Sequence, residues 1–182
     1  MYFKKLTGKK CYLSPIDIND AEKYTEWLND LEITRHLSIY HSIINTETEK
    51  TFLAELSKEH NYGIIDQSTN CLIGNCGFVD IDHVHQTAET GIFIGDKNYW
   101  SKGYGTEALW LLLDYGFKAL NLHNVMIRVY SFNERAKKSY EKIGFKYMGK
   151  RREALKRGNE KFDILYLDLL YEEFYGSFPK EQ

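Results

Sequence analysis

Two glycines lie in a short segment that connects a predicted strand to a predicted long helix. The segment reads Trp100-Ser101-Lys102-Gly103-Tyr104-Gly105-Thr106-Glu107. Glycine allows backbone N–H groups to approach a ligand closely, and the first turn of a helix adds unpaired donors and a positive dipole end. The pattern predicts a cradle for a pyrophosphate, although a tight turn alone would also explain it. A P-loop and a dinucleotide fingerprint are excluded, because they require GxxxxGK[ST] or a third glycine.

A second set of polar side chains follows about thirty residues later, on one face of a predicted short helix. Asn133 and Tyr140 are seven residues apart, which is two helical turns, and the small Ala136 stands between them. One side of the helix therefore offers a ligand an amide, a gap and a phenol. The structural alternative is that Asn133 only caps the helix and Tyr140 packs in the core. Gly144 suits the left-handed position just after a helix.

The elements that position these residues follow from hydrophobic periodicity and turn signals. After a first strand that Pro15 ends, one helix is expected from Asp17 or Asn19 to about Asn29, and another from Asn45 or Thr46. The later strands are predicted at 62–65, 72–79, 90–94, 125–130, 145–148 and 162–170, and the later helices at 103–120 and 133–143. Hairpins come first and alternating strands and helices second, which predicts a mixed sheet.

Composition narrows the class of protein. The chain has 182 residues, 43% of them hydrophobic, and a net charge of −2, which gives no global attraction to nucleic acid. Three cysteines without a CxxC pair argue against a disulfide framework or a zinc site. His83 and His85 lack further ligands, so we expect no metal and a role for both in a loop or at the rim of the substrate site. No apolar run approaches about eighteen residues, so we expect a cytoplasmic protein that does not enter membranes.

In combination, these segments resemble the GNAT superfamily of acetyltransferases, and more narrowly its RimJ/RimL-like branch. The strand 89–94, the cradle 100–106, the helix beginning at Asn133 and the Gly144-Phe145 pair match in order and spacing. The stretch 81–89 is also similar to bacterial spermidine N-acetyltransferases. The resemblance is specific from about residue 72 to 149. It implies an α/β fold: one domain over residues 1–182, with a mixed, mostly antiparallel sheet of six to seven strands and helices on both faces.

The resemblance also implies acetyl-CoA as the cosubstrate. Main-chain groups of residues 92–94 would pair with the pantetheine arm, amides of residues 102–106 would hold the pyrophosphate, and Tyr140 would lie near the thioester sulfur. Two positions depart from the family pattern, since Trp100 replaces a Gln or Arg and Ser101 replaces a glycine. These changes weaken the pattern only slightly, because the cradle acts mainly through backbone N–H groups. The implied coenzyme-binding set is Ile92, Phe93, Ile94, Trp100, Ser101, Lys102, Gly103, Tyr104, Gly105, Thr106 and Asn133.

Aminolysis of a thioester needs a neutral amine, whereas an alkyl ammonium has a pKa of about 10.4, so some group must accept a proton. Glu89, at the start of the strand expected to line the cleft, is the candidate base, directly or through water. The alternatives are an ordinary edge-strand carboxylate and a desolvated amine that needs no base. Tyr140 could hydrogen-bond or protonate the leaving thiolate, for a contribution of about 10²–10⁴-fold. No activating partner is spaced suitably for Cys76, which favours direct transfer in a ternary complex.

The acceptor and the alternatives to catalysis stay open. The leading hypothesis is an N-acetyltransferase that acts on the primary amine of a small molecule or of a protein N-terminus. Transfer of another acyl group from coenzyme A is one alternative, and a non-catalytic coenzyme-binding sensor or scaffold is the other. Residues 36–42 lack the paired acids of the spermidine enzymes. The remaining acids that could attract an amine are Glu22, Glu26, Asp30 and Glu32. The sequence is compatible with a homodimer.

Overall fold

The computed structural model describes residues 1–176. The strands are β1 (Leu6–Thr7), β2 (Cys11–Pro15), β3 (Asn61–Asp66), β4 (Leu72–Asp82), β5 (Thr87–Ile94), β6 (Asn124–Tyr130), β7 (Lys146–Arg157) and β8 (Glu160–Leu170). The helices are α1 (Ala21–Leu28), α2 (Leu31–Thr34), α3 (Thr46–Leu56), α4 (Tyr104–Ala119), α5 (Glu134–Ile143) and α6 (Tyr171–Gly176), with 3₁₀ turns at Ile18–Asp20 and Lys97–Tyr99. Residues 1–78 and 92–112 form one compact unit, and residues 79–91 and 113–176 form a second.

In the first unit, four strands form an antiparallel ladder in the order β1-β2-β3-β4. β2 and β3 pair from Cys11↔Asp66 to Pro15↔Tyr62, so the last residue of β3 lies beside the first residue of β2. Asn45 caps α3 as predicted, because its side chain accepts a hydrogen bond from the Thr48 N–H. The central buried cluster of this unit consists of Tyr12, Ile16, Ala21, Tyr24, Trp27, Ile33, Leu53, Ile65 and Leu72.

In the second unit, β5 pairs with β6 in parallel, and β8 lies antiparallel between β6 and β7. The parallel ladder ends at Thr90 and Ile127, although both strands continue. Every second residue of β6 is buried from Val125 to Val129, which gives the sheet one buried face. α5 ends at Gly144, whose φ of 116° is left-handed, as its sequence position predicts.

The predicted fold class is confirmed: the sheet is mixed, mostly antiparallel and flanked by helices. It has eight strands rather than six to seven. The prediction that β7 ends at residue 148 is wrong, because the strand continues to Arg157. The β7–β8 ladder contains register shifts at Tyr147/Gly149 and Arg151/Leu155, which interrupt the alternation that marks a strand in sequence.

That residues 1–182 form a single domain stays a prediction. The helices α2 and α6 were not predicted from the sequence. Throughout residues 1–176, no helix has the length and apolar character needed to cross a membrane.

Candidate active site

The residues singled out in the sequence fall into two groups, one in each compact unit. The first unit contains the predicted pantetheine strand and the glycine-containing segment, which are Ile92, Phe93, Ile94, Trp100, Ser101, Lys102, Gly103, Tyr104, Gly105 and Thr106. The second unit contains the two candidate catalytic residues and the helix cap, which are Glu89, Tyr140 and Asn133.

The glycine-containing segment is a tight turn that leads directly into α4. Ser101 and Gly103 have positive φ angles of 59° and 85°, and α4 begins at the next residue, Tyr104. A left-handed conformation is costly for most residues but not for glycine, so Gly103 is required by the backbone itself. Gly105 differs, because it lies inside α4 and an added Cβ would contact Ile94 Cγ1 at an ordinary 3.5 Å. Only Gly103 therefore has a conformational reason to be glycine.

The end of β5 packs beside this turn through alternate side chains. Phe93 points into the buried cluster, where its ring meets Trp27 edge to face at a centroid distance of 5.8 Å. Ile92 and Ile94 instead lie next to Gly105, within 4 Å of the position that a Cβ would take. The strand and the first turn of α4 are consequently neighbours, as a shared coenzyme site requires.

Trp100 and Lys10 hold the turn in place. The indole Nε1 of Trp100 donates a hydrogen bond to the Ile94 carbonyl at 2.8 Å, so the departure from the family pattern has a structural use. The Nζ of Lys10 donates to the Lys102 carbonyl at 2.9 Å and lies 5.6 Å from the centroid of the Tyr104 ring. Sequence reasoning missed Lys10, because no local pattern connects residues 92 positions apart.

Asp66, the last residue of β3, is a second missed residue. It is only 2% exposed, and its carboxylate accepts hydrogen bonds from the phenols of Tyr99 at 3.0 Å and Tyr104 at 3.3 Å. Burial pushes the pKa of Asp66 upward, but hydrogen bonds from Thr69, Ser68 and Tyr99 outweigh it and leave the pKa below its ordinary value. In sequence, Asp66 appears only as the start of a hairpin turn.

Glu89, the candidate base, forms an ion pair with Arg128. Arg128 Nε donates to Glu89 Oε1 at 2.6 Å, and 14% of the Glu89 side chain is exposed, against 51% for Arg128. The strand register explains the contact, because Glu89 is aligned with Met126 and Arg128 follows on the same face of β6. The parallel ladder ends one residue after Glu89. Arg128, which cannot itself act as a base, is thus the charge partner of the candidate base.

Asn133 is the N-cap of α5. Its side-chain oxygen accepts a hydrogen bond from the Ala136 N–H at 3.2 Å. The capping alternative raised by the sequence is therefore realised, and it uses only the oxygen of the amide. The amide nitrogen carries two donors that the cap does not use.

Tyr140 lies on α5 with its side chain 7% exposed and its ring 6.0 Å from that of Phe145. Burial raises the pKa of the phenol above its ordinary value, against an opposing contribution from the charge of Arg135. Within the described part of the chain, its hydroxyl makes no hydrogen bond. The ring thus packs as the structural alternative requires, while the hydroxyl keeps its capacity to donate to a ligand.

The cysteines are poor nucleophiles where they are buried. Cys11 and Cys76 are buried, and burial raises the pKa of both thiols, that of Cys11 to about 12. A thiol with so high a pKa holds little reactive thiolate at neutral pH. Cys71 is the exposed member of the three.

His83 and His85 lie in the turn between β4 and β5, so the predicted loop position is confirmed. His85 Nδ1 lies 2.9 Å from Asp82 Oδ2, and Asp82 Oδ1 accepts hydrogen bonds from the backbone of this turn. Among the 176 residues that the structure describes, no three His, Cys, Asp or Glu side chains are grouped to hold a metal ion.

The family of the protein follows from its similarity to known proteins. The family described as the acetyltransferase (GNAT) domain matches residues 10–146, which is most of the chain. The chain belongs to the GNAT acetyltransferase family. This GNAT protein is similar to the N-acetyltransferase p20 of Bacillus licheniformis, with 29% identity over 97% of its own length and 98% of that relative.

This GNAT protein also resembles two spermidine acetyltransferases, one in sequence and one in fold. This GNAT protein is 34% identical over 140 residues to the spermidine N(1)-acetyltransferase of Escherichia coli (strain K12), covering 76% of this chain and 68% of the relative. It shares its fold with the spermidine N-acetyltransferase from Vibrio cholerae, crystallised in complex with CoA and spermine. The TM-score is 0.81 at 21% identity, over 92% of this chain and 99% of that one. The predicted family, the likeness to spermidine enzymes and the N-acetyltransferase class are confirmed, whereas the RimJ/RimL-like branch stays a prediction.

Proposed function

We propose that this acetyltransferase takes the acetyl group from acetyl-CoA and transfers it to the primary amine of a small molecule or of a protein N-terminus. The observation that carries the proposal is the turn at residues 100–104, where left-handed Ser101 and Gly103 lead into the N-terminus of a sixteen-residue helix. A helix N-terminus presents unpaired N–H groups and a positive dipole end, which together suit a diphosphate.

We assign the coenzyme contacts as the sequence pattern implies. The amides of residues 102–106 would bind the pyrophosphate, and main-chain groups of residues 92–94 would pair with the pantetheine arm. The end of the β5–β6 ladder at Thr90 supports this pairing, because the strand runs on for four more residues to Ile94. Asn133 would contact the coenzyme through its amide nitrogen, since its oxygen already caps α5.

The chemistry that we propose is direct attack of the amine on the thioester in a ternary complex. Glu89 would accept the proton of the amine, directly or through water, with the carboxylate oxygen that Arg128 does not occupy. Tyr140 would donate a hydrogen bond to the leaving sulfur. Because burial raises the pKa of Tyr140, full proton transfer to a thiolate is less favourable than hydrogen bonding. A covalent acetyl-cysteine route has no support, since the buried Cys76 has a raised pKa.

The charges on the first unit bear on the choice of acceptor. Two of the four acids considered for amine binding, Asp30 and Glu32, form ion pairs with Lys97 at 2.7 and 2.5 Å. Because one lysine is shared by two carboxylates, one net negative charge remains, so these ion pairs weaken the attraction of the surface for a cationic amine without removing it. Spermidine is nevertheless the acceptor named for the Escherichia coli relative and belongs in any test.

The test is release of free CoA thiol from acetyl-CoA in the presence of spermidine, simple monoamines and peptides with free N-termini. A Cys71→Ser variant removes the exposed protein thiol from the background. Thiol release that depends on one amine class identifies the acceptor. Release from propionyl-CoA but not from acetyl-CoA would favour a different acyl donor, and coenzyme binding without release for any amine would favour a sensor or scaffold.

We further propose that the protein is cytoplasmic and forms a homodimer. The support for the homodimer is the pair of large apolar side chains exposed on β7, Tyr147 at 59% and Met148 at 55%. Light scattering of the purified protein at several concentrations tests the dimer, and Tyr147→Lys should shift it to monomer if this strand is the interface.

A further inference from the structure

Tyr99 and Tyr104 flank residues 100–103, the proposed pyrophosphate site that we call the coenzyme turn, and both contact the buried carboxylate of Asp66. Tyr99 ends the 3₁₀ turn at Lys97–Tyr99, and Tyr104 begins α4. Tyr99 donates to Asp66 Oδ2 at 3.0 Å and Tyr104 donates to Asp66 Oδ1 at 3.3 Å. Their rings meet edge to face at a centroid distance of 4.9 Å. Asp66 therefore fixes the separation of the two ends of the turn.

The residues between these ends need such a restraint. Of the four residues 100–103, Ser101 and Gly103 adopt left-handed φ angles. Glycine adopts this conformation readily, but for Ser101 it is costly and is maintained only when the surrounding structure imposes it. The contacts of Tyr99 and Tyr104 with Asp66 therefore add to the hydrogen bonds of Trp100 and Lys10 that restrain the turn.

Asp66 is itself fixed and remains charged. Its carboxylate also accepts hydrogen bonds from the Ser68 N–H at 3.1 Å and from the Thr69 hydroxyl at 2.8 Å, so the β3–β4 hairpin turn holds it. Within residues 1–176, the hydrogen-bond donors to this carboxylate are amide and hydroxyl groups rather than lysine or arginine. Hydrogen bonds to an ionised acceptor are stronger than neutral ones, which makes the two phenols firmly oriented.

We propose that Asp66 is a positioning residue for coenzyme binding: it holds Tyr99 and Tyr104 so that the turn between them presents its N–H groups to the pyrophosphate. The inference rests on the proposed coenzyme site and adds to it a residue that does not touch the coenzyme. It predicts that loss of the charge on Asp66 weakens the binding of CoA without slowing the chemical step.

The variants are Asp66→Asn, Tyr99→Phe, Tyr104→Phe and the double variant Asp66→Asn/Tyr104→Phe. We expect Asp66→Asn to raise the Kd for CoA and the KM for acetyl-CoA about tenfold, with kcat and the amine KM nearly unchanged. Each Phe variant should raise both values about threefold. The double variant should resemble Asp66→Asn, because Tyr104 acts through Asp66. Asp82→Asn, which alters another turn-capping carboxylate, is the matched control and should leave the Kd unchanged.

Isothermal titration with CoA and steady-state kinetics supply the readouts, and circular dichroism checks the fold. An unchanged Kd in folded Asp66→Asn, or additive effects in the double variant, would overturn the inference. A smaller folded fraction with unchanged Kd in the folded molecules would assign Asp66 a purely structural role and overturn it as well. If Asp66→Asn does not fold, the two Phe variants decide by the same criterion. A parent protein that binds no CoA would instead refute the proposed function, and the inference with it.

Discussion

The turn at residues 100–103, which we propose as the pyrophosphate site, and the candidate catalytic residues of the second unit are held in different ways. The turn is tied by Trp100, Lys10 and Asp66, each through a hydrogen bond to another part of that unit. Glu89 has one ion pair, and the Tyr140 hydroxyl has no hydrogen bond in the described residues. A site that binds through backbone groups must be rigid, whereas a side chain that exchanges protons must keep hydrogen-bonding capacity free.

Tyr140→Phe gives the largest effect that this contrast predicts. The variant keeps the packing against Phe145 and loses only the hydroxyl, so thermal stability should change little. The rate should fall by about one to four orders of magnitude, since the lost hydrogen bond acts where charge develops on sulfur. Single-turnover kinetics with acetyl-CoA measure it, and thioesters with poorer leaving groups should be affected more. Equal kcat with chemistry rate-limiting would make Tyr140 a core ring only.

Gly103→Val tests whether the turn at residues 100–103 binds CoA. A β-branched residue at a φ of 85° is strained, so the turn should deform and CoA affinity should fall about 10- to 100-fold. Gly149→Val is the matched control, because an added Cβ there meets nothing within 4 Å and β7 is a strand. Calorimetry should give the control the affinity of the parent. Unchanged affinity in folded Gly103→Val would remove the turn from the coenzyme site.

Glu89→Gln tests whether Glu89 is the base that accepts the proton of the amine. Neutral amine becomes scarcer as pH falls below its pKa of about 10.4, so kcat/KM should fall about tenfold and most strongly at low pH. Coenzyme affinity should stay near that of the parent. Arg128→Gln breaks the same ion pair but keeps the carboxylate, so kcat/KM should fall less than in Glu89→Gln. If Glu89→Gln keeps the parent pH profile, water or amine desolvation would be the source of the neutral amine.

Gly105→Ala gives the smallest effect on the protein and separates the two glycines. The residue is helical and the new methyl group would rest at 3.5 Å from Ile94, so stability should stay equal or rise by up to about 1 kcal/mol. Any loss of CoA affinity would then come from contact between the methyl group and the ligand. A clear fall in melting temperature would show that the helix start is more tightly packed than this geometry indicates.

Local signals predicted the parts of the structure that depend on neighbouring residues. The Asn133 cap and the left-handed Gly144 bound α5 where the sequence places them, because both act on backbone groups within one helical turn. The extension of β7 was not predictable in this way. Its ladder with β8 includes two register shifts and a left-handed Glu153 with a φ of 47°, which only the partner strand explains.

The site residues also divide into those that the local sequence reveals and those that it does not. The glycines and Asn133 are visible in the sequence, because they belong to short segments with fixed spacing. Lys10 and Asp66 are not, since they reach Lys102 and Tyr99 across separations of 92 and 33 residues. No pattern in either segment points to the other, and only the antiparallel pairing of β2 with β3 brings Lys10 and Asp66 to the same end of the sheet.

The exposed thiol of Cys71 has a consequence for the ageing of purified protein. Cys71 immediately precedes β4, and its carbonyl accepts the backbone hydrogen bond of Asp66 at 2.9 Å. Oxidation in air would join two copies through this thiol and mimic a natural dimer on a sizing column.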